Sequence, residues 1–187
     1  MKKRKVALLG DSIRMAYGLK VPELLGEDYE VFQPAENCRF AKYTLRGIFD
    51  WQEDLKDCEV IHWNNGHWDV CNLFDDGTLF STDEEYVDNI LRVARLLKEI
   101  TPNVIFATTT PVNPKHPHNK NSDIQRFNAL VVPHLQAMGI QINDLHALVA
   151  EDIEGNICDD LIHLSEKGIE VCAKQVAKVI QDNLIEL

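Results

Sequence analysis

With 187 residues, 45% of them hydrophobic, the chain is long enough to bury about 70% of the surface it exposes when unfolded, which excludes intrinsic disorder and removes the need for a disulfide or structural metal. Thirty acidic side chains against 19 basic ones leave a net charge of −11, a field that repels phosphate backbones and anionic lipid heads. No nucleic acid and no membrane is therefore expected as a partner, while small molecules and neutral polymers remain open. The apolar run after MKKRK stops at Gly10, too early for the core of a signal peptide, and no stretch approaches the ~20 apolar residues that span a bilayer. The five cysteines are odd in number and form no CxxC pair, which fits a reduced, cytoplasmic protein with core or surface thiols.

In chain order, short apolar runs fall at Lys5–Leu9, Tyr29–Phe32, Glu59–Trp63, Asn103–Thr108 and Gly139–Ile142, and each reads as a buried strand. A helix is expected after Ser12. Helical periodicity is clearest at Thr82–Ile100, behind a Ser81/Thr82 cap, and returns at Asp123–Met138 and Ser165–Leu184. Ser165 and Gly168 make half of a capping box for the last helix. Strands alternating with helices, with no repeat or linker between them, predict a single α/β domain over 1–187: a three-layer α/β/α arrangement on a flavodoxin-like, parallel five-stranded sheet. Ligand sites in such sheets lie at the carboxyl ends of the strands, which directs attention to residues 10–14, 34–40, 64–72, 109–120 and the loop before the last helix.

Four of those segments carry suggestive chemistry. Ser12 follows the first strand where the chain turns into a helix, a place that suits a nucleophile beside backbone N–H groups, although Asp-Ser ahead of a helix is equally an N-cap. Asp160 precedes His163 by three residues, a spacing at which the carboxylate reaches Nδ1–H, fixes the tautomer and leaves Nε2 to accept a proton. The third strand runs into Trp63-Asn64-Asn65-Gly66-His67-Trp68-Asp69, in which an Asn amide can donate to an oxyanion or Asn-Gly can simply turn the chain. In the loop after the second strand a backbone N–H and the Asn37 side chain can face the same point. Cys38 there lacks a local base and is not read as a nucleophile. Beyond the fourth strand, Pro111 opens a polar loop that lines or covers the pocket, with Asn128 behind it. His116 and His118 make a metal-dependent hydrolase the weaker alternative, since no HExxH-like spacing accompanies them; no metal and no cofactor is expected.

These residues resemble the SGNH/GDSL hydrolase superfamily of esterases and lipases over nearly the whole chain. Gly10-Asp11-Ser12 is similar to its first block, with Ile13 in place of the name-giving Leu, and Asp160, His163 and Leu164 are similar to its last. The Thr-Thr-Pro ending at Pro111 and the Phe127-Asn128 pair also match recurring features. The resemblance implies Ser12 as nucleophile, His163 as general base and Asp160 as its orienting partner. The middle blocks depart from the pattern. Glu36-Asn37-Cys38-Arg39 stands where a glycine donor is usual, which implies the N–H of Cys38 as oxyanion donor beside that of Ser12. Asn64 to Asp69 replaces G-x-N-D and looks more like the carbohydrate acetylesterase and acetyltransferase variant, with Asn65 as side-chain donor and Asn64 and His67 as alternatives.

The expected function is hydrolysis of short-chain, acetyl-type carboxylic esters through an acyl-enzyme. A sugar face stacked on Trp63 or Trp68 would favour acetylated carbohydrate over lipid; Asn37, Asn64, His67 and Pro111 join the tryptophans as candidate substrate contacts. The alternatives from other classes are an acyltransferase with the same triad and a non-catalytic carbohydrate-binding relative.

Overall fold

The computed structural model describes residues 2–74 and 76–185, the last by its backbone alone. Five strands, β1 (Arg4–Leu9), β2 (Tyr29–Phe32), β3 (Val60–Trp63), β4 (Val104–Ala107) and β5 (Gln141–Asn143), form one sheet in the order β2-β1-β3-β4-β5. All four pairings are parallel. Such a sheet must be covered on both faces, which is why β1, β3 and β4 are apolar runs rather than alternating patterns.

The runs divide by parity. Ala7, Leu9, Ile61, Trp63, Val104 and Phe106 face a core closed by α3 (Ala41–Asp50), α5 (Asp83–Ile100) and α6 (Asn121–Ala137). Val6, Leu8, Val60, Ile105 and Ala107 face a second core closed by α1 (Ser12–Tyr17), α2 (Val21–Leu25), α7 (Leu145–Ala150) and α9 (Glu166–Ile185). The short α4 (Gln52–Leu55) and α8 (Ile153–Asn156) complete the order.

Local signals set the long helices. Thr82 and Glu85 form a reciprocal capping box at the start of α5, satisfying two of its orphan donors. At α9 the Ser165 hydroxyl accepts from Gly168 N–H and donates to the Gly155 carbonyl. The start of α3 has no such local cap. Instead the carboxylate of Asp69, 28 residues on, accepts the Ala41 N–H with both oxygens, at 3.0 and 3.3 Å. The strand order changes direction between β1 and β3, so the crevice at their carboxyl ends brings Gly10–Ser12 beside Asn64–Asp69.

Candidate active site

Ser12 is the first residue of α1, and its own N–H therefore has no acceptor within the helix. The N-cap role belongs to Asp11, whose Oδ1 accepts from Ile13 N–H at 3.0 Å. Ser12 Oγ lies 2.9 Å from His163 Nε2, and His163 Nδ1 lies 2.6 Å from Asp160 Oδ2. The loop Asp159–Leu164 thus reaches across to the end of β1. Asp160 Oδ1 accepts the N–H groups of Ile162 and His163 and the thiol of Cys158. Partial burial pushes this carboxyl up, but those N–H donors and His163 outweigh it and hold Asp160 well below the usual carboxylate range. Leu161 takes a positive φ of 74° between them, and its carbonyl accepts the Asn113 N–H, which ties this loop to the segment after β4. The His163 and Asp160 side chains remain 44% and 49% exposed, so both are open to solvent.

Behind Ser12 the sheet is unusually polar. Asn64 Nδ2 donates to Asp11 Oδ1 at 2.9 Å, and the Tyr17 hydroxyl donates to Asn64 Oδ1 at 3.4 Å. Asn143 Nδ2 meets His62 Nε2 at 3.1 Å, which puts the imidazole proton on Nδ1, facing Tyr17. Burial drives His62 down to about 3, so it is neutral. Burial likewise raises Asp11, whose Oδ2 has no partner among the described residues.

The middle segments correct several expectations. The Cys38 N–H donates to the Gly10 carbonyl at 3.0 Å, so it is not available to an oxyanion. Asn65 is fully buried; its Nδ2 donates to the Arg39 carbonyl and its Oδ1 accepts the Trp63 indole N–H. It joins two strand ends rather than facing a ligand. Asn64, 3% exposed, is held by Asp11 and Tyr17 as above. His67 is buried, neutral because desolvation takes it down to about 3, and its Nε2 sits 2.9 Å from Thr110 Oγ1. Trp63 is not a sugar platform: it is fully buried and packed edge-on against Phe106 at 4.7 Å. A strand-terminal side chain in a sheet covered on both faces points into a core, whichever way it points. Pro111 is buried as well. Asn37 accepts the Arg39 N–H, an Asx turn that accommodates Arg39 at φ 49°. Trp68 alone of the two candidate tryptophans is accessible, at 39%.

The loop after β4 is stiffly held. Asn128 grips the Thr109 peptide with both ends of its amide, and Asn121 does the same for Val112. Asn119 N–H donates to His116 Nδ1, and His118 Nδ1 contacts the Asn72 carbonyl. Each histidine therefore has a ring nitrogen in use, and among the described residues no three His, Cys, Asp or Glu converge to hold a metal. Arg14, which sequence reasoning passed over, lies 3% exposed inside the crevice.

No protein-family model and no curated protein matches the chain. Solved structures do. A GDSL-like lipase from Bacteroides thetaiotaomicron superposes with a TM-score of 0.76 at 16% identity, over 96% of this chain and 88% of that one. A lipase/acylhydrolase from Enterococcus faecalis gives 0.77 at 16% identity, over 96% of both chains. An acetylxylan esterase from Geobacillus stearothermophilus gives 0.77 at 15%, over 95% and 94%. This is the SGNH hydrolase fold. The SGNH fold covers nearly the whole chain and puts the Gly10–Ser12 turn, the Asn64–Asp69 segment and the His163 loop at one end of the sheet. Among the described residues no helix is long and apolar enough to cross a membrane.

Proposed function

We propose that the chain is a serine hydrolase of carboxylic esters, with Ser12 as nucleophile, His163 as general base and Asp160 as its orienting anion. The observation that carries this reading is the unbroken contact from Ser12 Oγ to His163 Nε2 at 2.9 Å and from His163 Nδ1 to Asp160 Oδ2 at 2.6 Å, built from segments 151 residues apart. In acylation His163 takes the Ser12 proton as Oγ attacks the acyl carbon, then returns it to the leaving alcohol. Asp160, kept ionised by its N–H donors, holds the imidazole in the Nε2-acceptor tautomer and stabilises the imidazolium. The Ser12 N–H, free of any helical acceptor, serves as a backbone donor to the new oxyanion. Water then attacks the acyl-enzyme with the same base.

Water access to His163 and Asp160 favours hydrolysis over transfer to a second alcohol. The half-exposed His163 and Asp160 suit a short acyl group reached from an open crevice, and the exposed Trp68 offers an indole face to a sugar alcohol. An acetylated carbohydrate is the substrate class these features fit, in keeping with the acetylxylan esterase of the same fold. The test is labelling by a fluorophosphonate, with peptide mapping of the adduct, alongside release of acetate from acetylated xylo-oligosaccharides. An adduct on Ser12 and acetate release are expected; a well-folded protein that takes no label would refute the nucleophile assignment.

A further inference from the structure

Arg14 has no part in the chemistry above, yet it is among the most deeply buried charged side chains of the molecule. Its Nη1 donates to the Pro34 carbonyl at 3.1 Å, and its Nη2 to the carbonyls of Glu36 at 2.8 Å and Gly10 at 3.3 Å, with Cys38 Sγ at 3.9 Å. These partners are three carbonyls and a thiol, with no carboxylate among them, and its Nε–H is buried without a partner among the described residues. Desolvating a guanidinium costs several kcal/mol unless good hydrogen bonds replace its water, so the arrangement is not a neutral way to fill space.

The carbonyls come from two segments. Gly10 belongs to the turn that presents Ser12; Pro34 and Glu36 belong to the loop after β2. The Gly10 carbonyl receives Arg14 and the Cys38 N–H together, which fastens the turn and the loop to each other. Because a trans peptide carries its N–H opposite its C=O, holding the Gly10 carbonyl also sets the plane of the Gly10–Asp11 peptide, from which the chain enters Asp11 and Ser12. Gly10 has no slack to adjust: a Cβ there would stand 2.0 Å from Asn64 Oδ1 and 2.7 Å from the Arg14 Cβ.

We infer that Arg14 is a positioning residue for the esterase reaction: its forked guanidinium fixes the Gly10–Ser12 turn against the 34–38 loop and so sets the reactivity of Ser12. This rests on the reading of Ser12 as nucleophile. A lysine keeps the charge but, as a compact point cation, does not reproduce the planar fork that reaches both segments. Misplacing a reacting group by about 1 Å can cost ~10²-fold in rate, and that is the scale of the expected effect.

The experiment compares wild type with Arg14→Met and Arg14→Lys. It measures kcat and KM on p-nitrophenyl acetate per active site titrated by a fluorophosphonate, and the second-order rate of that labelling. For Arg14→Met the inference expects kcat and labelling rate to fall together by ~10²-fold while KM stays within about threefold, with Arg14→Lys recovering only about a tenth of the wild-type rate. A purely structural arginine would lower the melting temperature and the fraction of active sites but leave the rate per titrated site within about threefold of wild type, and that result overturns the inference. If Arg14→Met does not fold, Arg14→Lys decides alone, and a wild-type rate per site in it is fatal. Wild type that is itself unlabelled at Ser12 would sink the esterase reading together with the inference; labelled wild type with equally reactive variants would sink only the inference.

Discussion

The buried carboxylate of Asp69 gives the fold a definite pH signature. Its oxygens accept the Ala41 N–H at the start of α3 and the Ser81 hydroxyl at 3.0 Å, yet it is 1% exposed and among the described residues no cation pairs with it. Desolvation therefore wins over those donors and pushes Asp69 from its ordinary 3.8 up to about 7. A folded-state pKa raised above the unfolded one means the native state binds the extra proton, so this contribution is fully present below pH ~4 and is lost as pH rises through about 7. At about 1.4 kcal/mol for each unit, the full effect is about 4 kcal/mol, and about 3 kcal/mol of it falls between pH 5 and 8. Asp69→Asn has the same shape, keeps an acceptor oxygen and cannot titrate. Urea unfolding of both proteins at pH 5, 6, 7 and 8 should show the difference in stability shifting toward the Asn variant by about 3 kcal/mol across that range. Any constant penalty from the amide cancels in the comparison. A difference that stays flat to within about 1 kcal/mol would show that Asp69 ionises as an ordinary carboxylate and that its burial is not the controlling term.

Other substitutions test particular contacts. Cys158→Ala removes one weak donor from Asp160 while two backbone N–H groups remain, so kcat should fall by less than about fivefold, measured on p-nitrophenyl acetate. Gly66→Ala would set a Cβ 2.0 Å from Thr109 Oγ1 and should destabilise by roughly 2 kcal/mol or more in denaturant titration. Trp63→Phe leaves Asn65 Oδ1 without its buried donor and opens space beside Phe106, a loss of about 2–4 kcal/mol, whereas Trp68→Ala should leave stability within ~0.5 kcal/mol and raise KM only for carbohydrate esters.

What could be read from the sequence followed from local physics. Strands β1, β3 and β4 announce themselves as apolar runs because both sheet faces are covered, and α5 because Thr82 and Glu85 close its capping box. The starts and ends of strands and long helices lay within two residues of expectation, and a parallel sheet with helices on both faces followed from alternation, whereas the strand order β2-β1-β3-β4-β5 came from the structure. Helix α3 was not foreseen because its cap comes from Asp69, far along the chain. Ser12, His163 and Asp160 were nominated by spacing and by fold logic, and the structure brings them into contact. The oxyanion donors were not legible, since donor availability depends on which way a peptide turns: Cys38 N–H faces Gly10, and Asn65 faces Arg39 and Trp63. Trp63 was misread for a related reason, as its sequence neighbours are polar while its strand register is core. Arg14 gave a signal only in retrospect, a charged residue two positions after Ser12 on a helix whose neighbours Ile13 and Tyr17 are buried.

The most direct measurement is kcat/KM for p-nitrophenyl acetate with wild type and Ser12→Ala, purified identically and assayed with and without a chelator. Wild type should hydrolyse the ester at a rate indifferent to the chelator, and Ser12→Ala should lose at least ~10³-fold while unfolding at the same denaturant concentration. An alanine variant that retained the wild-type rate, or activity removed by the chelator instead, would contradict the assignment of Ser12, His163 and Asp160 as the reacting groups.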